Sequence, residues 1–285
     1  MPSSKNLKVE PKEQSSEDIL NDALLFLGGK PVVENEIISY GDLKLTVAPK
    51  EGKANTLLAD HLFSPSLLLA EQIEQGAIFL QGRTLIELGA GCSLPSLAAC
   101  TISSPSNVPS LVVTSDYPDS IILGSLNSNV ERNRALVSPA CKLHCRGYEW
   151  GQDVTELLSL LQNPSIMGFD IVILSDLLHF DASHHALVKS LSLLLAKTVD
   201  ARVYVAAGKY TLPNVVSSFL QKATDAGLVL IEYTDRIGGS RWLGTLPVSG
   251  LDAEALGIRK NNCRFWVGQW AGTKVEARES GELPR

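Results

Sequence analysis

Short apolar runs alternate with longer amphipathic segments between about residue 36 and residue 270. Runs such as Thr84–Leu88 and Ile171–Ser175 are short and continuous, which is typical of strands that are buried on both faces. Segments such as Ser64–Gln75 place apolar residues, among them Leu68 and Ile73, on one side at helical spacing. Strands that alternate with helices predict an α/β fold with a mostly parallel sheet and helices on both faces.

Seven segments have the composition of strands of one large sheet. Some of the ranges include the residues that directly follow the strand. The segments are Arg83–Leu88, Leu111–Tyr117, Cys141–Trp150, Phe169–Phe180, Ala201–Gly208, Leu228–Asp235 and Cys263–Trp270. The glycine-containing segment Arg236–Asn262, which precedes the last of them, has room for one short helix at most. Because a parallel crossover normally needs a helix between the strands, the last strand is expected to run antiparallel beside the sixth.

The N-terminal part of the chain predicts a separate β-hairpin. In Glu36–Val47, β-forming residues flank the turn-like sequence Tyr40-Gly41-Asp42. The predicted fold is thus a Rossmann-like seven-stranded, mostly parallel sheet with an antiparallel last strand and an N-terminal hairpin. The predicted regions are a disordered tail at 1–20, an extension with the hairpin at 21–62, the main domain at 63–270 and a flexible tail at 271–285.

Composition and charge narrow the range of partners. The 285 residues are 45% hydrophobic and 20% charged, as in an ordinary soluble globular protein. The chain has no apolar run long enough to cross a bilayer, and its first residues lack the apolar core of a secretory signal. We therefore expect a cytoplasmic protein, with the nucleus as the alternative, and no membrane partner. The net charge of −6 disfavours nucleic acid and favours a basic protein.

The five cysteines show no spacing that indicates a disulfide framework, so reduced thiols are expected. Cys141 and Cys145 flank His144, but they lie in a strand-like alternating run and no second cysteine pair follows. A metal site is therefore not predicted.

The stretch "ELGAGCSLP" carries the main signal for a ligand. Gly89 and Gly91 follow a predicted strand and precede a predicted helix, where glycines allow a sharp turn and close approach of a ligand. Asp116 ends the next strand, where an acidic residue can accept hydrogen bonds from both hydroxyls of a ribose. The third glycine of the dinucleotide fingerprint is replaced by Leu94, which favours an adenosine ligand without phosphate, such as S-adenosylmethionine. A tight turn without a ligand is the alternative.

Four motifs, "LIELGAGCSLPSL", "VVTSDYPD", "GYEWG" and "DIVILSDLLHF", together with the closing "CRFWVGQW", resemble a known family. The chain is similar to the family 16, lysine methyltransferase-like, seven-strand S-adenosylmethionine-dependent methyltransferases. Within them it resembles the fungal group labelled nicotinamide N-methyltransferase, which includes N-terminal and lysine methyltransferases of elongation factor 1A. The resemblance covers about Leu24–Trp270.

This resemblance implies S-adenosylmethionine as cofactor and a set of residues around it. Phe63 stands where the family usually has tryptophan, and Trp150 would lie beside the adenine, although its sequence context also fits a core or rim tryptophan. Glu87 would reach the cofactor's amino group through water or fix the loop. The implied cofactor-binding residues are Phe63, Glu87, Gly89, Ala90, Gly91, Asp116, Trp150 and Ser175.

The acceptor side is expected at "SDLLHF". The family motif is an acidic residue, two further residues and an aromatic; here Asp176 is followed by His179 at the aromatic position and by Phe180. Asp176 and His179 are predicted to orient an amine or relay a proton, although His179 also fits a helix-start histidine with a local hydrogen bond. The pattern N-P-P-Y, found in enzymes that methylate adenine or glutamine amides, is absent.

Two other features remain, a glycine-containing segment and a pair of histidines. The segment Arg236–Asn262, with Trp242, predicts either a substrate lid or a solvent loop with a packed tryptophan. His184 and His185 are expected at the surface of a helix.

The leading hypothesis is a monomeric N-methyltransferase that acts on a lysine or an N-terminal amine of a basic protein, such as a translation factor. The alternatives are a small-molecule N-methyltransferase, a cofactor-binding module without catalysis, and a nicotinamide-dependent oxidoreductase, which Leu94 disfavours.

Overall fold

The computed structural model describes residues 37–59, 61–102, 104–161, 167–233, 239 and 241–272. The tail predicted at 1–20 lies outside this part of the chain, as does the C-terminal tail beyond residue 272. Within the described residues, no helix combines the length and the apolar character needed to span a membrane.

Nine strands and eight α-helices are described. The strands are β1 (Ile38–Tyr40), β2 (Leu43–Leu45), β3 (Thr84–Leu88), β4 (Leu111–Asp116), β5 (Lys142–Gly147), β6 (Ile171–Ser175), β7 (Arg202–Gly208), β8 (Leu228–Glu232) and β9 (Cys263–Trp270). The helices are α1 (Gly52–Thr56), α2 (Ser64–Glu74), α3 (Leu94–Thr101), α4 (Ser120–Asn133), α5 (Thr155–Leu158), α6 (His184–Leu194), α7 (Pro213–Asp225) and α8 (Ala253–Asn261).

Seven of these strands form one sheet with the order β5-β4-β3-β6-β7-β9-β8. The five strands from β5 to β7 in this order pair in parallel, whereas β9 pairs antiparallel with both β7 and β8. β1 and β2 form the separate hairpin, in which Ile38 pairs with Leu45. The predicted seven-stranded sheet, its antiparallel last strand and the hairpin are confirmed.

Apolar side chains cover both faces of the sheet. In β3, Leu85 packs into one hydrophobic cluster together with α2, α3 and the hairpin. The next residue, Ile86, packs into the other cluster together with α6 and α7. Successive side chains of a strand point to opposite faces, so a strand covered on both sides needs an unbroken apolar run. This explains the short continuous runs in the sequence.

α8 and the segment that precedes it are both fastened to Glu71 of α2. The buried carboxylate of Glu71 lies 2.8 Å from the buried ammonium group of Lys260 in α8. The Leu243 N–H, in the segment before α8, donates a hydrogen bond to Oε1 of the same carboxylate. Trp242 is only 7% exposed and packs into the same cluster as α2, with its ring edge-on to that of Tyr40 at a centroid distance of 6.5 Å. Of the two interpretations of this segment, the described residues agree with a packed tryptophan.

Candidate functional site

A cavity of about 240 Å³ lies at the carboxyl ends of β3, β4 and β6. β3 pairs with β4 on one side and with β6 on the other, so this is the point at which the strand order reverses. Ligands of open α/β sheets bind at such a switch point. Nine of the ten predicted site residues line the cavity, namely Phe63, Gly89, Ala90, Gly91, Asp116, Trp150, Ser175, Asp176 and His179.

The glycine turn has the backbone that its sequence predicts. Gly89 has a φ of +59° and Gly91 a φ of +53°, both in the left-handed region that favours glycine. A Cβ added to Gly89 would lie 2.8 Å from Leu177 Cδ2 and 3.1 Å from Trp150 Cζ2, so the bare Cα lets these side chains close over the turn. A Cβ added to Gly91 would meet no atom within 4 Å. The space beside Gly91 is therefore open.

Replacement of Gly91 by alanine is expected to weaken cofactor binding more than it weakens the fold. Gly76 is a matched control, because it has a φ of +68°, meets nothing within 4 Å and is not a lining residue. Both changes should destabilise the protein by about 1–2 kcal/mol, since alanine is strained in the left-handed region. Calorimetric titration with S-adenosylmethionine should show reduced affinity for Gly91→Ala alone. Equal affinities of the two variants would contradict this assignment.

Asp116 ties the end of β4 to the glycine turn. Its Oδ2 accepts a hydrogen bond from the Gly91 N–H over 2.7 Å, and its Oδ1 accepts one from the Tyr117 N–H over 2.6 Å. Burial raises the pKa of this carboxyl, and the two backbone hydrogen bonds oppose that shift. Each carboxylate oxygen has capacity for a further hydrogen bond. Two acceptors side by side suit the two hydroxyls of a ribose.

Glu87 is the predicted site residue that does not line the cavity. It is fully buried, and its Oε2 accepts hydrogen bonds from the backbone N–H and the hydroxyl of Ser96 in the first turn of α3. Burial raises the pKa of Glu87 to about 8. Its Oε1 has no hydrogen-bond partner among the described residues. In this geometry Glu87 fastens the start of α3 behind the glycine turn.

Trp150 forms an aromatic wall of the cavity with Phe180. The two rings meet edge-to-face with centroids 5.8 Å apart. The chain next to Trp150 is fixed on α6, because the Gly151 N–H donates to Ser190 Oγ over 2.8 Å and the hydroxyl of Tyr148 lies 2.9 Å from the same oxygen. Trp150 is thus held at the rim by hydrogen bonds of its neighbours.

The segment that lines the cavity from the N-terminal side carries, apart from Phe63, no residue that the sequence marks. It begins with Leu57 and Leu58, after α1, and Leu58 has a φ of +57°, which is unusual for a residue with a branched side chain. His61 stacks on Phe63 with ring centroids 5.4 Å apart. In the first turn of α2, the hydroxyl of Ser66 shares a hydrogen bond of 2.8 Å with that of Ser175.

Several lining residues were not predicted. They are Leu57, Leu58, Ala59, His61, Ser66, Cys92, Tyr117, Tyr148, Glu149, Leu177, Phe180, Ser183 and Ala186. Some could have been found, because Cys92, Tyr117 and Leu177 directly follow predicted site residues in the sequence. The residues that follow α1 have no such signal.

Asp176, which is predicted to lie on the acceptor side, is a strained and buried carboxylate that lines the cavity. It is 3% exposed and has a φ of +61°, a conformation that aspartate tolerates better than most residues and that is common at functional sites. The Gly208 N–H donates to its Oδ1 over 3.1 Å, and the Tyr210 hydroxyl donates to its Oδ2. Burial raises the pKa of Asp176, and the nearby His179 and these two hydrogen bonds act against that shift.

His179 lines the same part of the cavity with an unpartnered imidazole. Neither of its ring nitrogens has a hydrogen-bond partner among the described residues, although both are buried. Burial lowers the pKa of His179, which keeps the ring neutral, while the charge of Asp176 opposes the shift. A neutral imidazole can accept one hydrogen bond and donate another. In the part of the chain that the structure describes, the His179 ring does not make the local hydrogen bond of a helix-start histidine.

The expectation that His184 lies at the surface is wrong. Its ring is fully buried, its Nε2–H donates to the Leu178 carbonyl over 2.8 Å, and it packs edge-on against Phe219. His185 is exposed, as expected. Because α6 packs against the sheet, its first residue turns inward and fastens the loop that carries Asp176.

Within the described part of the chain, no three His, Cys, Asp or Glu side chains are arranged to hold a metal ion.

Known proteins resemble the chain over this region. The protein N-terminal and lysine N-methyltransferase efm7 of Schizosaccharomyces pombe is 31% identical over 152 residues, which cover 53% of this chain and 56% of that protein. The protein of the same name from Gibberella zeae is 32% identical over 155 residues, which cover 52% of this chain and 56% of that protein. The match therefore spans little more than half the length of these relatives.

A solved structure, a SAM dependent methyltransferase from Aquifex aeolicus, aligns with a TM-score of 0.46 and 13% identity over 77% of this chain and 98% of that chain. The lysine methyltransferase family model matches residues 47–226, which include the glycine turn, Asp116, Trp150 and Asp176. This match covers more than half of the chain, and the chain therefore belongs to the lysine methyltransferase family.

Proposed function

We propose that this protein is an S-adenosylmethionine-dependent N-methyltransferase that modifies a lysine side chain or an N-terminal amine of a protein. The observation that carries the proposal is one cavity that joins two different groups of residues. Gly91 and Asp116 suit a nucleoside, while Asp176 and the unpartnered His179 suit an amine. The names of the relatives and of the family support the same activity.

The residues that line the cavity fit the proposed cofactor. The open space beside Gly91 admits a ligand against the backbone, the Asp116 oxygens accept hydroxyl hydrogen bonds, and the Trp150 ring offers an apolar face to a base. Phe63 and Ser175 line the same cavity. When bound, S-adenosylmethionine supplies a methyl group that its positively charged sulfur already activates for displacement.

The residues on the acceptor side have to deliver a neutral amine. A free lysine has a pKa of about 10.4, and an apolar environment lowers it, because burial disfavours the charged form. Leu177 and Phe180 provide apolar surface beside Asp176. The Asp176 carboxylate can accept a hydrogen bond from the amine and so orient its lone pair, and the neutral His179 can accept the proton that the amine releases.

A basic protein is the partner that we propose, with a translation elongation factor as the first candidate. The net charge of −6 attracts a basic surface and repels nucleic-acid phosphates. We further propose that the enzyme works as a monomer in the cytoplasm, with the nucleus as the alternative location.

The test is incubation of the full chain with methyl-labelled S-adenosylmethionine and a lysate of cells that lack this protein. A labelled protein band supports the proposal, and labelled lysine or labelled N-terminal residues after hydrolysis identify the site. Label only in the small-molecule fraction would favour a small-molecule N-methyltransferase. No transfer, despite binding, would favour a module without catalysis.

Ligand binding should also raise the melting temperature of the protein. At a hundredfold excess over the dissociation constant, a ligand that binds only the native state adds about 2.7 kcal/mol of stability. S-adenosylmethionine should produce this shift, whereas NAD should not. Stabilisation by NAD alone would contradict the methyltransferase assignment.

A further inference from the structure

The carboxylate of Asp176 is held by a residue from another strand exit. The Tyr210 hydroxyl donates a hydrogen bond to Asp176 Oδ2. Asp176 directly follows β6 and Tyr210 lies two residues after β7, the parallel neighbour of β6. Tyr210 is not among the residues that line the cavity. Any effect of its hydroxyl on a bound acceptor therefore passes through Asp176.

Gly208 leaves the space that this contact needs. Its backbone N–H donates to the other carboxylate oxygen, Asp176 Oδ1, over 3.1 Å. A Cβ at this position would collide with the ring of Tyr210. Gly208 is not among the glycines with a left-handed φ, so its backbone conformation does not require glycine. The close approach of the tyrosine ring is what excludes a side chain here.

We propose that Tyr210 is a positioning residue for methyl transfer, and that its hydroxyl holds the Asp176 carboxylate turned towards the acceptor amine. This inference rests on the proposed function. A carboxylate that lines a cavity can rotate about its side-chain bonds, and each orientation other than the productive one lowers the rate. Two donors on opposite oxygens, one from the backbone and one from Tyr210, restrict that rotation.

The titratable groups that face Asp176 come from three elements. His179 lies in the loop after β6, Tyr210 in the loop after β7, and the thiol of Cys263 at the start of β9. Burial raises the pKa of Asp176, whereas His179 and the Tyr210 hydrogen bond lower it. Loss of the hydroxyl should therefore raise this pKa, so that the ionised carboxylate disappears at a higher pH than in the wild type.

The test compares Tyr210→Phe with Tyr40→Phe. The hydroxyl of Tyr40 also donates to a carboxylate, Glu74 Oε2, over 2.7 Å, but neither residue lines the cavity. The acceptor is supplied as a lysate of cells that lack the protein. The lysate is used at a saturating concentration, at which more lysate no longer increases the labelling rate. The loss of a hydrogen bond to a charged group corresponds to a decrease in rate of about tenfold or more. The labelling rate of Tyr210→Phe should therefore fall by at least that factor. Tyr40→Phe should keep the wild-type rate, and both should bind S-adenosylmethionine normally.

The pH dependence separates positioning from a loss of stability. Titration of the acceptor amine affects both proteins equally and therefore drops out of the ratio of the Tyr210→Phe rate to the wild-type rate. This ratio should fall as the pH decreases. A second variant, Gly208→Ala, displaces the Tyr210 ring without removing its hydroxyl and should show the same loss of rate. The double variant, Gly208→Ala with Tyr210→Phe, should lose no more than either single variant. This second route keeps the test decisive if Tyr210→Phe fails to fold.

The possible results distinguish this inference from the proposed function. If the wild type transfers methyl groups and Tyr210→Phe matches Tyr40→Phe, with a rate ratio independent of pH, the role of Tyr210 is refuted and the proposed function stands. If the wild type transfers no methyl group, the proposed function fails and this inference fails with it.

Discussion

Asp116→Ala is expected to abolish most of the binding of S-adenosylmethionine. The carboxylate has two oxygens for the ribose hydroxyls, and hydrogen bonds to a charged group are worth about 1.5–3 kcal/mol each. The change also releases the N–H groups of Gly91 and Tyr117, which the carboxylate now holds. We expect the dissociation constant to rise by roughly a hundredfold or more, and the thermal shift to disappear at moderate ligand concentration. Calorimetry and thermal melting measure the two effects.

Asp119→Ala is the matched control for this change. Asp119 lies three residues further along the chain, and its carboxylate also accepts hydrogen bonds from two backbone N–H groups, those of Ile121 and Ile122. Its place is the N-cap of α4, and it does not line the cavity. The variant should lose about 1 kcal/mol of stability and keep its cofactor affinity. A dissociation constant for Asp116→Ala within a few fold of this control would contradict the ribose assignment.

Asp176→Asn should reduce methyl transfer far more than cofactor binding. Asparagine tolerates the left-handed backbone at this position and keeps the shape of the side chain, so the change removes mainly the negative charge. Loss of one oriented group that acts in the transition state lowers kcat by about 10²–10³-fold in well-studied enzymes. The dissociation constant of S-adenosylmethionine should change by no more than a few fold, because Gly91 and Asp116 are untouched.

Asp170→Asn offers a control on the same strand. Asp170 directly precedes β6, at the end opposite to Asp176, and its Oδ2 accepts hydrogen bonds from the backbone N–H and the hydroxyl of Thr84. This variant should be less stable but should turn over normally at a temperature at which it is folded. Normal turnover by Asp176→Asn, or a loss of cofactor affinity in step with activity, would show that Asp176 is a structural or cofactor-binding residue.

Much of the fold could be predicted from local sequence. The unbroken apolar runs of β3 and β6 follow from their coverage on both faces, and the segment before β9, which has room for one short helix at most, predicts the antiparallel direction of β9. The same holds for much of the candidate site. Because parallel strands end at one edge of the sheet, the residues just after β3, β4 and β6 must lie near one another. Gly91, Asp116 and Asp176 meet for this reason.

Local sequence does not show whether a side chain is buried when the burial depends on a segment that is distant in the chain. His184 begins a helix in a polar sequence, yet the packing of α6 turns it inward against Phe219. Trp242 lies in a glycine-containing segment, yet it is buried, because the N–H of the next residue, Leu243, donates a hydrogen bond to the buried carboxylate of Glu71 in α2. In both cases the burial depends on contacts with other elements, which neither composition nor periodicity records.

The sequence by itself determined the strands, their direction and the glycine turn, because these depend on the spacing of residues close together in the chain. Only the tertiary structure decided which side chains complete the cavity. Leu57, Leu58, Ala59 and His61, which follow α1, line it although no sequence signal marks them. Tyr210 reaches Asp176 from 34 positions away, because β6 and β7 are neighbours in the sheet and Gly208 leaves room for the ring. Such a contact arises from the pairing of strands. The hydrophobic periodicity of a strand (two residues) or of a helix (3.6 residues) does not predict it.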